Sequence, residues 1–196
     1  MTDTKDRILT EALILFAERG YKGTNLRDLA ARLNLSKSAL YKHYDSKEAI
    51  WNALLDKMEA YYAEHFGSPE QLPPPLASCE ELFNLSMRMI EFTISDPQII
   101  LTRKLLLTEQ FHDDRVRRLA GKHFLEGTAG MFTRLFEQMM AAGLLKTEDP
   151  AMLALVYTAP ISALIHHCDR HLESKEDTIE RIARFARHFI KTHAAK

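Results

Sequence analysis

Residues Asn25 to Lys47, NLRDLAARLNLSKSALYKHYDSK, constrain this chain more than any other stretch. Two short helical patterns flank a turn signal. Asn25 can cap the first helix, and Asp28, three residues on, completes a capping box. Leu26, Leu29, Ala30 and Leu33 then recur on one helical face. Asn34 follows, a residue that tolerates the left-handed conformation of a sharp turn. Ser36 is a good cap for a second helix, with Leu40 and Tyr44 on its buried side. The other side carries Lys37, Ser38, Tyr41, Lys42 and His43, hydrogen-bond donors with almost nothing acidic between them. A short helix, a tight turn and a second helix with a donor-rich outer face form a helix-turn-helix arrangement.

Charge points the same way once its distribution is considered. The whole chain of 196 residues carries a formal net charge of −1, which by itself argues against nucleic acid as a partner. Between Lys22 and Lys47, however, six basic residues (Lys22, Arg27, Arg32, Lys37, Lys42, Lys47) face two acidic ones (Asp28, Asp45), a local charge of +4 that leaves −5 for the remainder. A basic patch on a mildly acidic body can steer DNA to one face. The same cations without the motif would read as an ordinary solvated helix surface.

Helical periodicity covers the rest of the chain. Helix 1 is expected over about Lys5 to Arg19, with Gly20 at its C-terminal cap. Helix 4 is expected from Asp45 or Ser46 to about Phe66. GSPEQLPPPLA, Gly67 to Ala77, then breaks the pattern with four prolines. Ser78 and Glu81 form a capping box for helix 5, Cys79 to Ile94. Asp96–Pro97 starts helix 6, which runs to about Gln110, and helix 7 spans about Asp113 to Ala142, with Gly121, Gly127 and Gly130 marking a bend or close contact. Asp149–Pro150 starts helix 8, which continues to about His171 with a kink at Pro160. Ser174 with Asp177 caps helix 9. No strand pattern or sequence repeat is present. The expected fold is all-α, about nine helices.

Several function classes find no support. Cys79 and Cys168 are too few for a disulfide framework. His167 and His171 stand four apart on one expected helical face, a spacing that can hold zinc, but no second ligand cluster accompanies them, so no metal site is assigned. His112–Asp113–Asp114 reads as a helix start. No cofactor is expected, and phosphate loops, nucleophile motifs and paired-carboxylate signatures are missing, so an enzyme is not expected. The N-terminus lacks an apolar signal core, and the longest apolar stretch, Leu153 to Ile165, is short for a membrane span. These point to a cytoplasmic protein without a membrane partner.

The stretch GYKGTNLRDLAARLNLSKSALYKHYDSKEAI resembles the N-terminal signature of the tetracycline-repressor (TetR) family of bacterial regulators. The matching elements are Phe16–Ala17–x–x–Gly20–Tyr21, Thr24, Leu29–Ala30, Ser36, Leu40–Tyr41–x–His43–Tyr44 and Ser46–Lys47–Glu48. Asn34–Leu35 and Tyr44 depart from the family's usual Gly-Val and Phe. The resemblance implies a three-helix DNA-binding head, residues 1–47, and a ligand-binding and dimerisation body, residues 48–196. It assigns Thr24, Asn25, Tyr41, Lys42, His43 and Lys47 to the DNA-facing surface, mostly toward phosphate, and Ser36, Lys37 and Ser38 to the major groove. Phosphate contacts fix register and groove contacts read bases, so Lys37 is the candidate for guanine and Ala39 for a thymine methyl.

The resemblance also implies a homodimer through helices 8 and 9. The apolar stripe of helix 9, Ile179, Ile182, Ala186 and Phe189, is the expected seam. Met58, Tyr62, Phe83, Met87, Phe124, Phe132, Tyr157 and His166 form a candidate wall for a small hydrophobic or aromatic effector. The function so implied is a ligand-released repressor of a palindromic double-stranded DNA operator. The alternatives are an architectural DNA-binding protein without a ligand and, behind it, a helical enzyme.

Overall fold

The computed structural model describes residues 3–67 and 73–195. It is all-helical among these residues, with a single antiparallel bridge, Leu145 to Ala194, and no strand. The helices are α1 (Thr4–Gly23), α2 (Leu26–Arg32), α3 (Lys37–Tyr41), α4 (Lys47–Phe66), α5 (Cys79–Ser95) and α6 (Pro97–Glu109). The helix expected over Asp113 to Ala142 is α7a (Asp114–Gly121), a π-helical turn (Lys122–Glu126) and α7b (Gly127–Ala141). Then come α8 (Pro150–Cys168) and α9 (Lys175–His193), giving nine helices among the described residues. Residues 68–72 of the proline-rich loop lie outside the described residues.

Capping explains most helix starts. Asp149 Oδ1 accepts from the Ala151 and Met152 amides, and Asp113 Oδ1 from those of Arg115 and Val116. Ser78 accepts from the Glu81 amide, and Glu81 reaches back to the amide of Ala77 rather than of Ser78. Ser174 departs from expectation. Its hydroxyl donates to the His171 carbonyl and makes no cap bond to α9, which is entered instead through a 3₁₀ turn, Leu172–Ser174. The glycines of helix 7 bracket its π turn. A Cβ on Gly127 would lie 2.5 Å from the Lys122 carbonyl oxygen, so the extra-wide turn needs a glycine there.

The helices divide between two compact units, residues 1–65 with 97–120 and residues 66–96 with 121–196. The first takes in α6, α7a and nearly all of α4, so the expected head of residues 1–47 is part of a larger packed body. Its core is built from Ile8, Phe16, Leu29, Leu40, Ile50, Leu54, Leu105 and Val116. The second unit packs α7b against α8, and α9 against both α5 and α8. Tyr157 of α8 sits at its centre with ring centroids of Phe189, Phe132, Phe136 and Phe185 at 4.5, 5.1, 5.7 and 6.0 Å. Its hydroxyl donates to Ser86 Oγ at 2.8 Å, which satisfies a polar group that burial would otherwise penalise.

Three sequence expectations change here. Ile182, Ala186 and Phe189 do not wait for a partner: they are buried in the core of their own unit, and Ile179 is packed against it. Helix 8 ends at Cys168, so His171 lies in the following turn, its ring 4.7 Å from that of His167 but off the helical face. The apolar segment around Leu153 belongs to a 19-residue helix of mean hydropathy 1.4, long and apolar enough by composition to cross a membrane. One side of it nonetheless builds the core, through Leu153, Ala154, Tyr157, Thr158, Ile161 and Cys168.

Burial pushes the Tyr157 phenol up to about 12, against an ordinary value of 10.0. The stability tied to its protonated form is therefore complete below pH ~10 and is lost as pH rises toward 12. Tyr157→Phe should remove that alkaline component and leave Ser86 without its partner, at a cost of about 1–3 kcal/mol. Urea unfolding at pH 7 and pH 11 checks both effects.

Candidate nucleic-acid interface

The DNA-facing candidates are organised by a corner at the end of α1. Regular helix stops before Gly20, which takes φ +71° and ψ 169°, a conformation that favours glycine. One further turn, Tyr21 to Gly23, leads to Thr24. The Thr24 hydroxyl donates to the Leu15 and Gly20 carbonyls at 3.2 and 2.9 Å, and the residue is buried. Thr24 was expected to meet phosphate. As placed, its hydroxyl is turned inward and pins the corner.

Asn25 caps α2 as the sequence indicates, accepting from the Arg27 and Asp28 amides at 2.9 Å each. The box closes between side chains: Asn25 Nδ2 donates to Asp28 Oδ2, which also receives Arg19. Arg32 pairs with Glu11. Two charges of the motif, Asp28 and Arg32, are thus balanced within the unit. Lys22, Arg27, Lys37 and Lys42 are exposed.

The turn and second helix follow the sequence closely. Asn34 takes φ +54°, the non-glycine residue with positive φ among those described. Ser36 Oγ accepts from the Ala39 amide at 3.1 Å and shares a hydrogen bond with Ser38 Oγ. Of the five residues of α3, Leu40 alone is buried; Lys37, Ser38 and Tyr41 are exposed and Ala39 is half-buried. The Lys37 ammonium lies 5.6 Å from the Tyr41 ring centroid, one turn along the same face. The helix ends at Tyr41, so His43 and Tyr44, both half-buried, follow it in a turn rather than extending it. Tyr44 is therefore less a core residue than expected. Burial and the neighbouring Asp3 and Asp6 raise its phenol, and Lys5 lies over its ring.

Lys47 opens α4, whose Ala49 amide is capped by Ser46 Oγ. Its ammonium sits 4.3 Å from the Tyr21 ring centroid. Loss of hydration lowers its pKa, and the Glu109 carboxylate works against that loss. Sequence reasoning missed Tyr21 and the buried Glu109 as the groups that support Lys47 from beneath. Gly20–Tyr21 was visible as a helix end, but nothing in the sequence ties it to a residue 88 positions away.

The candidate effector wall is divided. Met58 and Tyr62 belong to the first unit and the other six residues to the second. Within the second, Phe132 and Tyr157 are packed core, while Phe83, Met87, Phe124 and His166 are half-buried. Phe124 and His166 meet edge to face at 5.4 Å, and the Arg187 guanidinium covers Phe83 while pairing with Glu80.

Comparison with known proteins bears on this geometry. Residues 8–54 match the model of the bacterial regulatory proteins of the tetR family. The biofilm operon icaADBC HTH-type negative transcriptional regulator IcaR of Staphylococcus epidermidis is 40% identical over 60 residues, 31% of this chain and 32% of that protein. Its counterpart in Staphylococcus aureus strain Newman is 49% identical over 47 residues, 24% of this chain and 25% of that one. The matched stretch is thus a third or less of those relatives. The fold resemblance is wider. SmeT, the repressor of the Stenotrophomonas maltophilia multidrug efflux pump SmeDEF, superposes with a TM-score of 0.68 at 16% identity, covering 100% of this chain and 92% of that one. A TetR-family transcriptional regulator from Agrobacterium tumefaciens does so with 0.68 at 16%, covering 97% of each. With the tetR-family pattern over residues 8–54 and a fold like that of TetR-family structures along its length, the chain is similar to the tetracycline-repressor (TetR) family.

Proposed function

We propose that the protein is a cytoplasmic transcriptional repressor that binds a palindromic operator as a homodimer and is released by a small, mainly hydrophobic effector. The observation that carries the DNA-binding part is α3, a helix that buries one residue and offers donors at its start and along its outer side. Lys37 and Ser38 are the base-reading candidates; Asn25, Tyr41, Lys42, His43 and Lys47 are the candidates for phosphate. Repression is supported by IcaR, a negative regulator, and by SmeT, a repressor.

Of helices 8 and 9, on both of which the dimer is expected, α8 carries the apolar face that core packing leaves open. Met152, Leu155 and Val156 are 57, 41 and 47% exposed, and with Ala159 and Ala163 they recur at helical spacing opposite the core side. A second apolar face on an already core-forming helix fits a two-fold partner packing the same face. Two heads are also what a useful operator requires, because one recognition helix reads too few base pairs. For the effector, Phe83, Met87, Phe124 and His166 are the candidates that core packing leaves half-exposed. An effector shifts the equilibrium only if it binds the DNA-free conformation more tightly.

Binding to a duplex selected by the protein from a random pool tests the DNA reading. Lys37→Ala should relax preference at one base position, at about 1–3 kcal/mol. Lys47→Ala should weaken all sequences alike and flatten the salt dependence by about one unit. Unaltered binding by both would mean the docking face is elsewhere. For assembly, wild-type protein should sediment as a dimer at micromolar concentration, and Leu155→Asp with Val156→Asp as a folded monomer. Ile182→Asp should instead unfold the second unit. A wild-type monomer contradicts the proposed seam.

A further inference from the structure

Glu109, the last residue of α6, is buried, and a buried carboxylate is costly unless something binds it. Its Oε1 accepts the Tyr21 amide at 3.2 Å. Space for it exists because position 20 is glycine: a Cβ there would stand 2.6 Å from that same oxygen. The backbone of Tyr21 is thereby held from one side. Its ring is held from another by Trp51 and Phe16, at centroid distances of 4.9 and 5.8 Å, and the Trp51 indole N–H is itself fixed by Asp113 at 3.0 Å. On this ring rests the Lys47 ammonium. A lysine on a flexible four-carbon stem would otherwise have to be ordered each time it meets a phosphate.

We propose that Glu109 is a positioning residue for the Lys47–DNA contact: by clamping the Gly20–Tyr21 corner, it holds the aromatic seat on which the Lys47 ammonium is pre-set for phosphate. The inference rests on the DNA contact proposed for Lys47. It acts wholly within the first unit and needs no effector. The favourable charge of Glu109 toward Lys47 adds to the same end, since it opposes the loss of hydration over the ring.

The test is a mutant cycle read by affinity and salt dependence on the selected duplex. Glu109→Ala should lower affinity several-fold and flatten the salt slope by about one unit, as Lys47→Ala does. Glu109→Gln keeps an oxygen for the Tyr21 amide and should restore the slope. In a Lys47→Ala background, Glu109→Ala should add nothing. A wild-type slope in Glu109→Ala, or a full additional loss in the double variant, overturns the proposal while leaving the Lys47 contact intact. Wild-type affinity and slope in Lys47→Ala overturn the contact itself and the proposal with it. Should Glu109→Ala fail to fold, Tyr21→Leu against Tyr21→Phe reads the same link. The Phe variant should keep the slope and the Leu variant lose about one unit; equal slopes overturn the proposal.

Discussion

The left-handed corner at Gly20 is where helical order in the first unit changes direction, and three interactions from different parts of the chain converge on it. Glu109 accepts the next amide, Thr24 turns its hydroxyl back onto the Leu15 and Gly20 carbonyls, and the Tyr21 ring packs at a tilt against Trp51. The start of α2 and the seat of Lys47 both follow from that corner. Without it, a five-residue α3 would have little to orient it, because so short a helix has no stability of its own. Its burial of Leu40 ties it to the core that the corner organises.

The second unit meets a different constraint. Its aromatic centre around Tyr157 consumes one side of α8 and the apolar stripe of α9 together. α9 is then left with a charged outer surface, including Glu180, Arg181, Arg184 and Arg187, whereas α8 is left with a second apolar one. The two helices thus contribute unequally to the surface, and the dimer proposed above would pack on α8.

Much of this was legible in the sequence where interactions are local. Caps at Asn25, Ser36, Ser78 and Asp149 and the left-handed Asn34 all depend on residues within a few positions of one another, and the glycines of helix 7 signalled a bend though not its π-helical form. The structure departs from expectation where a residue type is compatible with two partners. Thr24 is polar and next to a helix start, so it reads as a surface donor until its inward carbonyls are seen. Ile182 and Phe189 are apolar at helical spacing, which periodicity cannot divide between own core and partner. Glu109 gave no local signal, because its meaning depends on a glycine far earlier in the chain. His171 was placed on a helix because nothing in CDRHLES marks the stop at Cys168 as strongly as a glycine or proline would.

In the proposed complex, DNA meets the chain chiefly at α3 and the start of α4. Hydrogen exchange, with and without a duplex selected from a random pool, measures this directly. DNA-dependent slowing should centre in the first unit on peptides covering residues 36–47 and reach the start of α2 at Asn25, with the amides around Tyr157 unaffected by direct protection. Slowing centred on α6 or on the second unit, with residues 36–47 exchanging as in the free protein, would contradict it.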